Sequence, residues 1–202
     1  AIQSQAPNAL EFIGDKLKSM AGGSSGGAEL IDISSLTVVA KELDDMLPQP
    51  GSPTYKTALI NIYVRDAPFG GSDKSSNGCR YDYIPFVNGM IGAGMSCQVI
   101  HYLHEEHDKF FDVVKNFDAL IVRCNPGQIK ADGGSQEKFD DAMRALKASQ
   151  GMQCWPSPDV MEFMGAKDAL TKIATLNIGL EDTLTYYEED DFTAGFKKTV
   201  RA

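Results

Sequence analysis

From Ala58 onward the apolar positions fall into two alternating patterns, short unbroken runs and longer stretches at helical spacing. Ala58 to Val64 is the first unbroken run, rich in β-branched residues, and predicts a strand buried on both faces. A long polar loop follows from Arg65 to Asp82, carrying Gly70-Gly71 and Asn77-Gly78. Ile84 to Ala93 reads as a helix, and Cys97 to Tyr102 as a second strand. Phe110, Phe111, Val113, Val114 and Phe117 recur as one face of a further helix. Ala119 to Arg123 predicts a third strand, ended by the turn Asn125-Pro126-Gly127. Ser135 begins a helix with Phe139, Ala142, Met143 and Leu146 on one side. Met152 to Trp155 is a short fourth strand, stopped by Pro156. Beyond it the pattern predicts a short helix to Met164, a helix from Lys167 to Leu176, a strand from Thr183 to Tyr187 and a last helix from Asp190 to Val200. Strands separated by helices imply right-handed crossovers. The expected fold class is α/β, a mostly parallel sheet with helices on both faces, in the Rossmann-like manner.

The first 57 residues follow another pattern. Leu10, Phe12, Ile13, Leu17 and Met20 form an apolar stripe on a predicted helix, which makes them candidate partner-binding residues. Gly22 to Gly27 has the composition of a flexible linker. Glu29 to Leu47 predicts a second helix, with Ser34 or Ser35 as its N-cap, and Pro48, Pro50 and Pro53 force a loop after it. The expected organisation is a helical N-terminal extension over 1–57, able to dock on the chain's own core or on a partner, and an α/β domain over 58–202.

Charge narrows the classes of partner. The chain of 202 residues carries a net charge of −9. Such a chain repels phosphate backbones and anionic lipid surfaces, so nucleic acid is not an expected partner. No apolar run reaches the roughly 18 residues of a membrane-spanning helix. The four cysteines, Cys79, Cys97, Cys124 and Cys154, show no metal-type spacing and read as reduced, buried thiols of a reducing compartment. The first residue is Ala1 rather than Met, so the expectation is that an initiator Met, a transit peptide or a further stretch has been removed, and a cleaved transit peptide would place the protein in an organelle.

In an open α/β sheet, ligands bind beyond the carboxyl ends of the strands. Three loops qualify: 65–71, 101–107 and 123–128. Arg123 at a strand end can hold a carboxylate or phosphate bidentately, or pair with an acidic neighbour. His101, His104 and His107 are the chain's three histidines, but they straddle a strand end and a helix start, so their side chains are expected to diverge. No zinc signature is present, and no metal site is assigned. Gly89 to Gly94 is glycine-rich, yet it ends a helix instead of opening one, and close packing explains it better than phosphate binding.

One stretch resembles a known superfamily. Trp155-Pro156-Ser157-Pro158-Asp159 through Leu170, then Ile178-Gly179-Leu180-Glu181-Asp182-Thr183 and Tyr187, is similar to the passage into the ATP-grasp domain of ATP-grasp ligases. Arg123-Cys124-Asn125-Pro126-Gly127, within the preceding β-α order, resembles their N-terminal pre-ATP-grasp domain. The resemblance covers roughly residues 58–200, with Lys167-Asp168 standing where many members have Asp-Lys. It implies a pre-ATP-grasp fold. In that superfamily a following domain supplies the lysines for ATP and the carboxylates for Mg²⁺, and the sequence ends at Ala202, where that domain would begin. The resulting expectation is a non-catalytic interaction or scaffolding subunit with no cofactor. It would stabilise a larger protein complex, in an organelle such as the plastid, with peripheral contact to a membrane complex. The alternative is the substrate-side domain of an ATP-dependent carboxylate–amine ligase, with Arg123, Asn125, Gly70 and Gly71 lining the ligand cleft. That alternative predicts an uncovered apolar face near Leu176, Leu180 and Phe196.

Overall fold

The computed structural model describes residues 30–37, 45–124, 126–164, 169–177, 179–180 and 183–200. The stripe Leu10, Phe12, Ile13, Leu17 and Met20, the linker 22–27 and Asn125 lie outside the described residues.

Four strands form one sheet, β1 Lys56–Ile62, β2 Ser96–Tyr102, β3 Ala119–Val122 and β4 Gln153–Trp155, in the order β2-β1-β3-β4. Every pairing is parallel. The fold is therefore α/β, as the alternating apolar runs predict. The sheet is covered on both sides. Helix α1 (Tyr83–Gly92) puts Tyr83, Val87 and Met90 against Leu59, Cys97 and Ile121. Helices α2 (His107–Val114), α3 (Pro126–Ala131) and α4 (Gln136–Gln150) supply Phe110, Val114, Ile129, Phe139 and Met143 to the opposite face, against Ile60, Tyr102, Leu120 and Val122. Burial on both faces explains why β1 and β3 read as continuous apolar runs rather than alternating ones. On the second face Tyr102 meets Phe110 and Phe139 edge-on, with centroids 5.0 and 4.8 Å apart. Each such pair contributes about 0.5–1.5 kcal/mol beyond area burial.

Helix α4 shows how local residues set an element. Ser135 Oγ accepts from the Lys138 N–H at 3.1 Å, Glu137 favours the first turn, and Gly151 closes the helix in the left-handed region at φ 68°.

Three expectations on secondary structure change. Pro126 opens a six-residue helix, α3, where a simple turn was expected, because a proline suits a first helical position. Residues 183–186 form no strand, and no sheet partner reaches them among the described residues. The helix expected over Glu29 to Leu47 is absent from its described residues. Residues 30–33 run without regular structure into a turn at 34–35, and 38–44 lie outside the described set.

What the described N-terminal residues do is seal the edge of β2. Gln49 donates its Nε2 to the Cys97 carbonyl at 2.7 Å and accepts from the Cys97 N–H at 2.9 Å. Gln98 repeats the arrangement in reverse, its side-chain amide pairing with the N–H and carbonyl of Ile31. Leu36 enters the core beside Ile60 and Phe110. The Gln49 amide thus satisfies edge groups at Cys97 that would otherwise remain open to another strand, and Gln98 ties the Ile31 backbone to the same edge.

The chain divides into two compact units, 1–159 and 160–202. The second contains α6 (Ala169–Lys172) and α7 (Glu189–Val200), while α5 (Pro158–Met164) begins at the division. Within it Thr171 and Thr185 share a hydroxyl–hydroxyl hydrogen bond, and Phe192 stacks on Phe196 with centroids 5.8 Å apart. No helix among the described residues is long and apolar enough to cross a membrane.

Candidate functional site at the carboxyl edge of the sheet

Strand order places β1 between β2 and β3, so the chain leaves β1 toward one side and returns to the other. The carboxyl ends of β1 and β3 mark this reversal, the position where open α/β sheets bind ligands. Polar groups concentrate there.

The innermost layer is a hydrogen-bonded lacing. Asn61, wholly buried in β1, accepts from Tyr83 Oη at 2.6 Å and donates to the Gly78 carbonyl at 3.1 Å. Tyr83 Oη also lies 3.3 Å from the Arg123 carbonyl. Burial pushes the Tyr83 phenol far above its ordinary range, so it stays a neutral donor. Beside Asn61 in register is His101, also buried, with its ring edge-on to Tyr63. Burial lowers the His101 pKa to about 4, against the opposing effect of the Gly78 carbonyl.

Above this layer runs a chain of charges. Arg123 pairs with Asp82 and stacks over Phe86 at 5.2 Å. Asp82 also accepts from Arg80 Nε at 3.1 Å, and Arg80 reaches Asp73 at 3.2 Å. Asp73 holds Lys74 Nζ at 2.9 Å, and Gln128 bridges the two, accepting from Lys74 at 3.2 Å and donating to Asp73 at 2.7 Å. The Lys74 side chain is entirely shielded from solvent. Burial alone would raise the Asp73 pKa, but hydrogen bonds from Lys74 and Gln128 and the charges of Lys74 and Arg80 hold it below the ordinary carboxylate range. Arg123 Nε and His101 Nε2 are the two buried nitrogens here with no hydrogen-bond partner among the described residues.

The sequence candidates settle as follows. Arg123, Gly70 and Gly71 do come to one edge, with Asp73, Lys74 and Gln128 between them, while Asn125 is outside the described residues. The Arg123 guanidinium is engaged by Asp82, the acidic-neighbour alternative. Gly70, at φ 85°, lies flat against the Tyr63 ring, where any Cβ would overlap it. A Cβ on Gly71, at φ 149°, would stand 2.7 Å from Lys74 Nζ. Close packing thus requires glycine at Gly70, and both positions have a positive φ that favours glycine. Sequence reasoning missed Asp73, Lys74 and Asp82, and named Gln128 only as part of the loop 123–128. One signal was present: Asn61 is a polar residue inside an apolar strand, and such a residue must find partners.

A second polar group lies at the end of β2. The three histidines diverge, as expected. His107 Nδ1 bonds Tyr102 Oη at 2.8 Å inside the core, and His101 faces the loop at Gly78. His104 instead turns toward Glu105 and Asp132, a pairing not foreseen from the sequence.

The four cysteines are free thiols, and burial raises Cys79, Cys97 and Cys154 to about 11 and Cys124 higher still. None is poised as a thiolate nucleophile. Comparison with protein-family models, with curated proteins and with solved structures finds no match to this chain.

Proposed function

We propose that this protein is a non-catalytic interaction subunit, a rigid acidic α/β body that stabilises a larger protein assembly. The observation that carries this reading is the surface of residues 160–202. Leu176, Leu180, Leu184, Phe192 and Phe196 each leave more than half of their surface exposed. Isolated exposed apolar residues are ordinary, but this many large ones within so short a unit is the composition of a surface that meets another protein. The charge chain Arg123-Asp82-Arg80-Asp73-Lys74 supports the same reading, since its cations and carboxylates pair with one another. The test is native-size analysis of the tagged full chain in cells that make it. The chain is expected to travel in a complex much larger than 21.9 kDa, and Leu180→Asp with Phe196→Asp is expected to release it. Migration of the parent at its own mass overturns the reading.

A second reading draws on the same face. Exposure of Leu176, Leu180 and Phe196 is the feature expected of a ligase substrate domain that packs on an ATP-grasp core. The intact mass of the native polypeptide separates the two. A mass larger by a domain, together with Mg²⁺-dependent ATP binding by that longer chain, favours the ligase.

A further inference from the structure

We propose that His104, Glu105 and Asp132 form a binding site for a divalent transition-metal ion, with Zn²⁺ the best fit. The proposal does not depend on the scaffolding reading. One ligand atom from each residue lies within 4.8 Å of the other two. His104 Nε2 stands 3.5 Å from Glu105 Oε2 and 3.9 Å from Asp132 Oδ2. Ligand atoms bound tetrahedrally at about 2.0–2.2 Å lie about 3.3–3.6 Å apart. The observed separations therefore need only a small closure around an ion. One imidazole and two carboxylates make a donor set suited to zinc and its neighbours, whereas calcium and magnesium prefer oxygen alone.

The surroundings hold these donors in place. Asp132 is largely buried, and its Oδ1 accepts from the Arg65 N–H at 3.1 Å, which leaves Oδ2 toward His104. Such outer hydrogen bonds are what orient metal-binding carboxylates. The Gly133-Gly134 turn lies directly on His104. A Cβ at Gly134 would sit 2.6 Å from His104 Cβ, so the turn fixes the base of the imidazole, while a Cβ at Gly133 would stand 3.7 Å from Nε2. The donors come from the segments after β2 and β3, with Arg65 after β1 beside them, at the ligand-binding edge of this sheet type. Arg65 is the built-in competitor, pairing with Glu105 Oε2 at 2.9 Å. Both side chains are nearly half exposed, and a pair of that kind contributes little and yields readily.

The test is calorimetric titration of ZnCl₂ into the full chain freed of metal by chelation. One ion per chain is expected. His104→Gln and Asp132→Asn are each expected to weaken binding at least about tenfold, while Asp112→Asn, an exposed carboxylate on α2, leaves it unchanged. Arg65→Gln keeps all three donors and is expected to tighten binding by releasing Glu105. Cobalt(II) in place of zinc is expected to show no thiolate charge-transfer band. The proposal is overturned if the parent binds no zinc, if both donor variants bind as it does, if Arg65→Gln does not tighten binding, or if the cobalt spectrum reports a cysteine ligand.

Discussion

His101 makes the fold sensitive to acid. Its pKa is lowered to about 4, first by burial, while an exposed imidazole in the unfolded chain titrates near about 6.5. Between those values the unfolded chain binds more protons, so stability is complete above the upper one and declines as pH falls toward the lower. His107 acts in the same direction, its pKa lowered by burial and by the Lys138 charge. His101→Gln is expected to lose less stability than the parent between pH 7 and pH 4.5, as read from urea midpoints at the two pH values. Equal losses in the two proteins would mean that His101 is not the responsible group. At this scale the sequence was partly legible. Arg123 and the Gly70-Gly71 pair stood out because strand ends and glycine pairs have a known place in α/β sheets. Their partners Asp73, Lys74 and Asp82 lie in a loop without periodicity, where long-range ion pairs leave no local pattern.

Elements were read most securely where burial imposed a pattern. β1, β2, β3 and α4 follow from apolar runs, helical spacing and the Ser135 cap. The failures fall where a tertiary partner decides the outcome. Residues 183–186 have strand-like composition, but a strand needs a ladder, and none forms there. Residues 30–33 stay out of a helix, and the Ile31 backbone is held by the Gln98 amide. The seal on β2 makes a prediction of its own. Gln49→Ala is expected to speed hydrogen exchange at the Cys97 amide selectively, because that N–H loses its acceptor and gains solvent. Unchanged protection at Cys97, measured by exchange at single-residue resolution, would show that Gln49 does not hold the edge.

Both apolar clusters and the whole sheet lie within the first compact unit. Residues 30–159 produced alone are therefore expected to melt in one cooperative transition with near-native circular dichroism. A fragment that melts without cooperativity would show that 160–202 belongs to the same folding unit. The whole-molecule class was legible because alternating strand and helix patterns admit few topologies. The polar network at its carboxyl edge was not legible, because it depends on the segments after β1 and β3 meeting across the sheet. The amide seal on β2 also shapes how this sequence can drift under mutation. Gln49 grips backbone atoms that every residue type but proline would present at position 97, and Gln98 grips those of position 31. Among descendants of this chain, the two glutamines are constrained by what they hold, while the residues they hold answer only to the packing around them.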